Sequence, residues 1–403
     1  MSKARLEARP ASFGTPLPLR SAAPQDERGG IGDLPTPSLL VDQPKFDANV
    51  ARMRSRLAQA GGPVLRPHLK TVKSVPAARR MLPEGGPITV STLLEAERFA
   101  EAGFSDILYA VGIAPGKLDR VLALRRRGVD LMLVTDNVAG AEAIASASRA
   151  AADPIPVLIE IDSDGHRAGV RPGDADLLRA IAAALNGADL RGVMTHAGGS
   201  YGESSADGLA RAAAAERDAV VSTAAILRHS DYPAPIVSVG STPTALGAAD
   251  LTGVTEVRAG VYAFFDLVMA GIGVCSVDEI ALSVLTEVIG HQREKGWILV
   301  DAGWMAMSRD RGTAAQACDQ GYGLVCDPLG HLFPDLVMIG ANQEHGILAL
   351  RPGSGASLPD LPVGARLRIL PNHACATAAQ FGQYHVLDAG GAVADIWPRF
   401  NGW

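Results

Sequence analysis

A histidine and a lysine two residues apart follow the first short apolar run of the chain. His68 and Lys70 stand in the string Arg-Pro-His-Leu-Lys-Thr, directly after Pro63-Val64-Leu65. A lysine at the carboxyl end of a strand can form a Schiff base if its amine loses its proton, and pyridoxal phosphate (PLP) is held by this linkage. A single lysine is more often a solvated surface residue, so this hypothesis depends on the rest of the chain.

A second pair, His373 and Cys375, lies in the string Pro-Asn-His-Ala-Cys near the C-terminus. On a strand, residues i and i+2 point to one face, so an imidazole and a thiol would converge there. These ligands suit Zn²⁺, and two protein ligands would leave positions open for water or substrate. Taken alone, such a pair is more often a core cysteine near an unrelated histidine.

An alternation of short apolar runs and helical segments predicts the scaffold that positions these residues. Eight candidate strands cover residues 64–65, 88–90, 107–111, 131–134, 157–161, 193–195, 236–239 and 254–257. Segments rich in helix formers lie between them, for example residues 93–102, 118–127, 139–151 and 209–227. Eight such units predict an α/β fold with a (β/α)8 barrel. A doubly wound sheet is the alternative, but no Gly-x-Gly-x-x-Gly turn follows the first run.

The pattern changes after Gly260, where residues 280–301, 334–350 and 363–388 read as strands separated by Gly, Pro and Asp turns. We predict a barrel over residues 45–270 and a C-terminal, mainly β domain over residues 271–403 that also takes in residues 35–44 and carries the metal ligands. Residues 1–34 are rich in Arg, Pro, Ala and Gly and are predicted to be a mobile extension or a wrapping arm, with a transit peptide as the alternative.

Polar and glycine residues follow most of the predicted barrel strands, at the end where barrels carry their active sites. The set comprises His68, Lys70, Thr92, Arg167, His196, Tyr201, Ser241, Thr242, Gly260 and Tyr262. The last four follow strands seven and eight, where barrels frequently bind a phosphate group, so they are predicted to bind the phosphate of PLP. In the β domain, Gln343 and His345 line a substrate pocket or form a surface turn.

Composition excludes several other classes of protein. The 403 residues carry a formal net charge of −6, which argues against a nucleic-acid or anionic-membrane partner. No apolar run reaches the roughly 18 residues that a membrane span needs. The four cysteines show no disulfide spacing, so a cytoplasmic protein is expected.

Taken together, these strings resemble the D-serine dehydratase and D-threonine aldolase family of fold-type-III PLP enzymes, which are related to alanine racemase. The resemblance covers residues 36–403. Besides the two strings above, it rests on Asp-Gly-His-Arg-Ala-Gly at 164–169, Thr-His-Ala-Gly at 195–198, Ser-Val-Gly-Ser-Thr-Pro at 238–243, Arg-Ala-Gly-Val-Tyr at 258–262 and Gln-Glu-His-Gly at 343–346. Residues 91–97 and 303–312 are most similar to the threo-3-hydroxy-D-aspartate dehydratase branch.

The resemblance implies a role for each matching position. Lys70 would hold the cofactor and remove the α-proton of a D-amino acid, with His68 nearby, and His196 would pack on the pyridine ring. Tyr201 would lie near that ring, and Arg167 would approach its phenolic oxygen or the substrate carboxylate. Ser241, Thr242, Gly260 and Tyr262 would bind phosphate, and His373 and Cys375 would hold a divalent metal that coordinates the substrate β-hydroxyl.

Three functions remain open at this point. The first is β-elimination from a D-3-hydroxy amino acid to a keto acid and ammonia, and the second is retro-aldol cleavage of the same class of substrate to glycine and an aldehyde. The third is a non-catalytic PLP-binding protein, which the β domain and the His-Cys pair argue against. The family's aldolases often carry a carboxylate where Cys375 stands, which favours Mg²⁺ or Mn²⁺, whereas a thiolate favours Zn²⁺, so elimination is preferred. The resemblance also implies a homodimer.

Overall fold

The computed structural model of the chain describes residues 30–403. Residues 1–29, most of the predicted extension, lie outside the described residues. The remaining part of that extension is attached to the C-terminal sheet, because Arg366 donates hydrogen bonds of 2.7 Å to the carbonyl oxygens of Ile31 and Leu34. The character predicted for residues 1–34, a mobile extension or a wrapping arm, stays a prediction.

Eight parallel strands form the predicted barrel. The first nine strands in chain order are β1 (Ser38–Asp42), β2 (Val64–Leu65), β3 (Ile88–Val90), β4 (Asp106–Gly112), β5 (Asp130–Thr135), β6 (Pro156–Ile161), β7 (Asp189–Thr195), β8 (Ile236–Val239) and β9 (Glu256–Val257). Strands β2 to β9 pair in parallel in the order β2-β9-β8-β7-β6-β5-β4-β3. The ring closes just after β2, where the Leu69 N–H donates to the Thr89 carbonyl oxygen at 2.8 Å. The predicted (β/α)8 barrel is confirmed.

Most of the helices follow a barrel strand, and several begin at a residue whose side chain caps them. They are α1 (Gln43–Gln59), α2 (Val75–Met81), α3 (Leu93–Glu101), α4 (Leu118–Arg126), α5 (Val138–Ala151), α6 (Ala175–Ala184), α7 (Ala206–His229), α8 (Thr242–Gly247), α9 (Leu267–Gly271), α10 (Trp304–Met307) and α11 (Ala374–Ala378). Asn137, Asp174 and Ser205 each accept a backbone N–H from the first turn of the helix that follows. These bonds satisfy donors that a helix leaves free at its start, which explains where the helices begin.

The C-terminal part is a mainly antiparallel sheet. Its strands are β10 (Leu282–Gln292), β11 (Trp297–Val300), β12 (Gly323–Cys326), β13 (Leu332–Ala341), β14 (Gly346–Leu350), β15 (Arg366–Pro371), β16 (Gln383–Leu387) and β17 (Val393–Pro398). Together with β1 they follow the order β11-β14-β13-β12-β15-β10-β1-β16-β17. Because β10 also pairs with β11, six of these strands close into a ring. The mainly β second domain is confirmed.

A shared hydrophobic core joins the barrel to this sheet. Phe46 of α1 lies with its ring centroid 5.5 Å from that of Phe264, which follows the barrel, and 5.5 Å from that of Trp397 on β17. All three side chains are buried. Burial of three aromatic side chains at one junction is worth several kcal/mol, so the sheet is held firmly against the barrel.

Candidate active site

One cavity of about 430 Å³ contains both groups of residues predicted from the sequence. The barrel lines it with His68, Lys70, Arg167, His196, Tyr201, Ser241, Thr242 and Gly260, among others. The C-terminal part lines it with Asp310, Gly312, His373 and Cys375. The predicted lysine site and the predicted metal site therefore face the same space.

Lys70 lies in the turn after β2, where it is exposed and lines the cavity. His68, from the same turn, places its Nδ1 3.5 Å from the Lys70 backbone nitrogen. Burial lowers the pKa of His68 well below its usual value, and the nearby positive charge of Lys70 lowers it further. The imidazole is therefore neutral near pH 7 and adds no positive charge next to the lysine amine.

His196 follows β7 and is held in one orientation and one tautomer. Its Nδ1 lies 2.5 Å from the carbonyl oxygen of Gly240, and because a carbonyl only accepts, the proton must be on Nδ1. Burial lowers the pKa of His196 to about 4, although the bond to Gly240 opposes this change. A neutral ring with a fixed tilt can stack on a heteroaromatic cofactor.

The residues after β8 and β9 fit a phosphate group. The Thr242 hydroxyl is buried, lines the cavity and has no hydrogen-bond partner among the described residues. Gly260 brings its backbone so close to the turn after β2 that an added Cβ would lie 2.7 Å from the His68 carbonyl oxygen. An unpaired buried hydroxyl costs free energy unless a ligand binds it, so an acceptor-rich group such as phosphate fits here.

Two buried residues to which no role was predicted hold this region together. The Glu216 side chain on α7 accepts the backbone N–H groups of Ala197 and Gly240, both at 3.0 Å, and so ties the loop after β7 to the loop after β8. Arg258 is buried below them, where it donates to the Thr195 carbonyl oxygen at 2.5 Å. In the sequence, Glu216 could have been recognised as a single carboxylate within the apolar stripe of a predicted helix.

His373 and Cys375 meet by a geometry that differs from the predicted one. Strand β15 ends at Pro371, so His373 is the N-cap of α11 and Cys375 lies in its first turn; the prediction of a strand here is wrong. The chain turns because the Ala374 N–H is bound by the buried Asp266 carboxylate at 2.9 Å and so does not extend the sheet. Both side chains still line the cavity.

The surroundings of this pair fit a divalent metal. Asp310 Oδ2 lies 2.6 Å from His373 Nδ1, and the Cys375 Sγ lies 3.3 Å from the Thr71 hydroxyl. Burial raises the pKa of Cys375, but contact with His373 outweighs it, so the pKa is lowered and the thiolate is favoured. Within residues 30–403 no group of three or more His, Cys, Asp or Glu side chains is arranged to hold a metal. The imidazole of His373 and the thiolate of Cys375 are side chains chemically suited to bind Zn²⁺.

Four predicted site residues do not line this cavity. The Thr92 hydroxyl caps α3 by accepting the Glu95 N–H at 3.1 Å. Tyr262 is fully buried outside the lining, and its hydroxyl has no partner among the described residues. Gln343 and His345 are exposed in the turn between β13 and β14. A cavity within one subunit therefore gives no support to these four assignments, and neighbouring Ser91 takes the place of Thr92 in the lining.

The fold and the cavity define a PLP enzyme of the alanine racemase class. The model of the "Alanine racemase, N-terminal domain" family matches residues 41–268, and that of the "Putative serine dehydratase domain" matches residues 281–387. The chain belongs to the D-serine dehydratase and D-threonine aldolase family of these enzymes.

Three relatives span nearly the whole chain. D-threo-3-hydroxyaspartate dehydratase of Delftia sp. (strain HT23) is 55% identical over 92% of this chain and 98% of its own length. D-serine dehydratase of Schizosaccharomyces pombe is 31% identical over 93% of each chain. D-threonine aldolase of Arthrobacter sp. is 30% identical over 90% of this chain and 91% of its own.

The solved structure of the Delftia enzyme superposes with a TM-score of 0.90 at 54% identity, over 93% of this chain and 100% of that chain. Two further structures are of variants of a D-threo-3-hydroxyaspartate dehydratase. One carries a histidine-to-alanine change. The other carries a cysteine-to-alanine change two positions further along the chain and is in a metal-free form. Within residues 30–403, no helix has the length and apolarity needed to cross a membrane.

Proposed function

We propose that the chain is a PLP- and divalent-metal-dependent lyase that eliminates the β-hydroxyl of a D-3-hydroxy amino acid and releases a keto acid and ammonia. The observation that carries the proposal is the single cavity in which Lys70 faces His373 and Cys375. Similarity to the Delftia dehydratase over nearly the whole chain favours threo-3-hydroxy-D-aspartate as the substrate, with D-serine as the second candidate.

Bound PLP would supply an electron sink that makes the α-proton of an amino acid acidic. Lys70 would hold the cofactor and then accept and move that proton at its Nζ. The neutral His196 ring would fix the orientation of the cofactor ring, with Tyr201 beside it. Ser241, Thr242 and Gly260 would bind the phosphate, since they combine an unpaired buried hydroxyl with closely approaching backbone.

Arg167 would bind the negatively charged end of the substrate. It lines the cavity, and the nearest acid in contact with it is Glu160, at 3.9 Å. At that distance the guanidinium group makes only a weak ion pair, so its donors are available to a carboxylate or to the phenolic oxygen of the cofactor.

His373 and Cys375 would hold the metal, and a thiolate ligand favours Zn²⁺ over Mg²⁺ or Mn²⁺. A divalent cation at this place would supply Lewis-acid stabilisation of the charge that develops on the departing hydroxyl. The paired changes at matching spacing in the dehydratase structures support the assignment.

Retro-aldol cleavage to glycine and an aldehyde is the alternative activity, because a D-threonine aldolase shares 30% identity with the chain. Elimination is favoured by the higher identity of the dehydratase and by the thiolate at the metal site. A non-catalytic PLP-binding role is disfavoured by the metal pair facing the cavity.

Product analysis distinguishes these activities. The purified protein, loaded with PLP and Zn²⁺, is incubated with threo-3-hydroxy-D-aspartate, D-serine or D-threonine, and keto acid, ammonia and glycine are measured. We expect ammonia and keto acid in equal amounts, fastest from threo-3-hydroxy-D-aspartate, and no product from the L-enantiomer or from the Lys70→Ala variant. Glycine and an aldehyde without ammonia would establish the aldolase instead.

We further propose a cytoplasmic homodimer and the domain boundaries given above. Gln343 and His345 are exposed and do not line the cavity of their own subunit, so we propose that they contact substrate in the barrel of a second copy. Light scattering at assay concentration tests the dimer, and a fully active monomer would contradict it.

A further inference from the structure

The Asp310 carboxylate touches the predicted metal pair from a segment that the sequence analysis used only as a mark of resemblance. Its Oδ2 lies 2.6 Å from Nδ1 of His373, and its side chain lines the same cavity. We infer that Asp310 is a positioning residue, which holds His373 in the tautomer and ring orientation that present Nε2 to a divalent metal. The inference rests on the metal site of the proposed function and assigns a further residue to it.

The backbone that carries the metal pair is already fixed without Asp310. The Ala374 N–H donates to the buried carboxylate of Asp266 at 2.9 Å, and the Thr377 N–H donates to the His373 carbonyl oxygen at 3.1 Å. The neighbouring Asn372 is buried and donates to the Gly321 carbonyl oxygen at 2.6 Å. The freedom that remains is rotation of the His373 side chain about its two torsions.

Asp310 removes that freedom and also decides the tautomer. A carboxylate only accepts hydrogen bonds, so Nδ1 of a neutral His373 must carry the proton and Nε2 must carry the lone pair. Metal-binding histidines almost always donate their second ring N–H to such a partner, which raises the basicity of the ligating nitrogen. The negative charge of Asp310 also compensates part of the charge of a bound cation.

The segment before Asp310 is built to place it. Gly303 lies so close to the turn after β13 that an added Cβ would collide with the carbonyl oxygens of Asn342 and Gln343. At the other end, the Met307 carbonyl oxygen accepts the Thr377 hydroxyl at 2.8 Å, which ties the segment to α11. The segment is thus anchored to the helix that carries Cys375 just before it reaches Asp310.

The chain offers a matched control for this contact. Asp327 Oδ2 lies 3.0 Å from His331 Nδ1, so the same pair of groups occurs on the surface of the C-terminal sheet, outside the cavity lining. Substitution of Asp327 removes the same kind of carboxylate–imidazole hydrogen bond and leaves the predicted metal site unchanged.

The test compares Asp310→Ala, Asp310→Asn and Asp327→Asn with the unmodified protein, all loaded with PLP. The affinity for Zn²⁺ is measured by competition with a chromophoric chelator, and the visible absorbance of the lysine-bound cofactor reports on the barrel. We expect Asp310→Ala to weaken Zn²⁺ binding by about 10- to 100-fold with the cofactor absorbance retained. Asp310→Asn keeps an acceptor for Nδ1 and should lose less, while Asp327→Asn should bind as the unmodified protein does.

The possible results distinguish failure of the positioning role of Asp310 from failure of the proposed metal site. Unchanged Zn²⁺ affinity in both Asp310 variants, with strong binding by the unmodified protein, overturns the positioning role. Equal losses in Asp327→Asn and the Asp310 variants would also overturn it, since the effect would then be general. If the unmodified protein binds no metal, the metal assignment of the proposed function fails, whatever the variants do.

Discussion

Glu216 joins the two loops that carry His196 and Ser241, so its removal should damage both stability and cofactor binding. Its carboxylate accepts the N–H groups of Ala197 and Gly240 at 3.0 Å, and the side chain is buried in α7. Each buried N–H left without an acceptor costs about 1–3 kcal/mol. Burial raises the pKa of Glu216, so keeping this carboxylate charged inside the protein costs free energy. Substitution by alanine removes that cost, which offsets part of the loss.

We therefore expect Glu216→Ala to lower the free energy of unfolding by about 2–4 kcal/mol. Loosening the two loops should also weaken PLP binding at least tenfold, which corresponds to about 1.4 kcal/mol. Glu216→Gln retains an acceptor oxygen and removes the cost of the buried charge, so its loss of stability should be about 1 kcal/mol or less. Urea unfolding of the cofactor-free proteins measures the first quantity, and PLP titration measures the second.

Thr223 supplies the control on the same helix. It is buried and donates to the Ala219 carbonyl oxygen at 2.7 Å, but it makes no hydrogen bond to either loop. Thr223→Ala should lower stability by about 1 kcal/mol and leave the PLP affinity unchanged. Glu216→Ala with PLP affinity within twofold of the unmodified protein, or with unfolding free energy within 1 kcal/mol of it, would refute the reasoning.

Three further predictions follow from the site. Lys70→Ala should remove the visible absorbance of bound cofactor after dialysis, and a surviving band would exclude Lys70 as the attachment point. A chelator should stop ammonia release while that absorbance persists. Zn²⁺ should restore turnover in the unmodified protein but not in Cys375→Ala. Full activity without metal would show that Cys375 is a core thiol and not a metal ligand. Because burial lowers the pKa of His196 to about 4, the unfolded chain binds more protons than the folded chain between that value and about 6.5, so the free energy of unfolding should fall as the pH drops through this window. His196→Gln should reduce that slope in urea unfolding series between pH 4 and 7, while the buried His68 maintains part of it. An unchanged slope would show that folding does not lower the pKa of His196.

The sequence alone predicted the barrel and ten of the residues that line the cavity. Strand periodicity places Lys70, His196 and Ser241 at the carboxyl ends of strands, and in a closed parallel barrel all such ends meet on one face. Side chains that follow different strands are thus brought together by a rule that needs no knowledge of packing. Local patterns were sufficient for this prediction because each strand and its carboxyl end are recognised from residues close together in the chain.

Tertiary structure decided what lies opposite that face. Cys375 approaches Lys70 because aromatic packing around Phe46 seats the sheet on the barrel, and no local pattern encodes that junction. The carboxylate of Asp266 turns the chain after β15 into a helix, where the local sequence had suggested a strand. Glu216 and Asp310 remained unrecognised for the same reason: a buried carboxylate takes its role from partners distant in the chain, and these become its neighbours only in the folded protein.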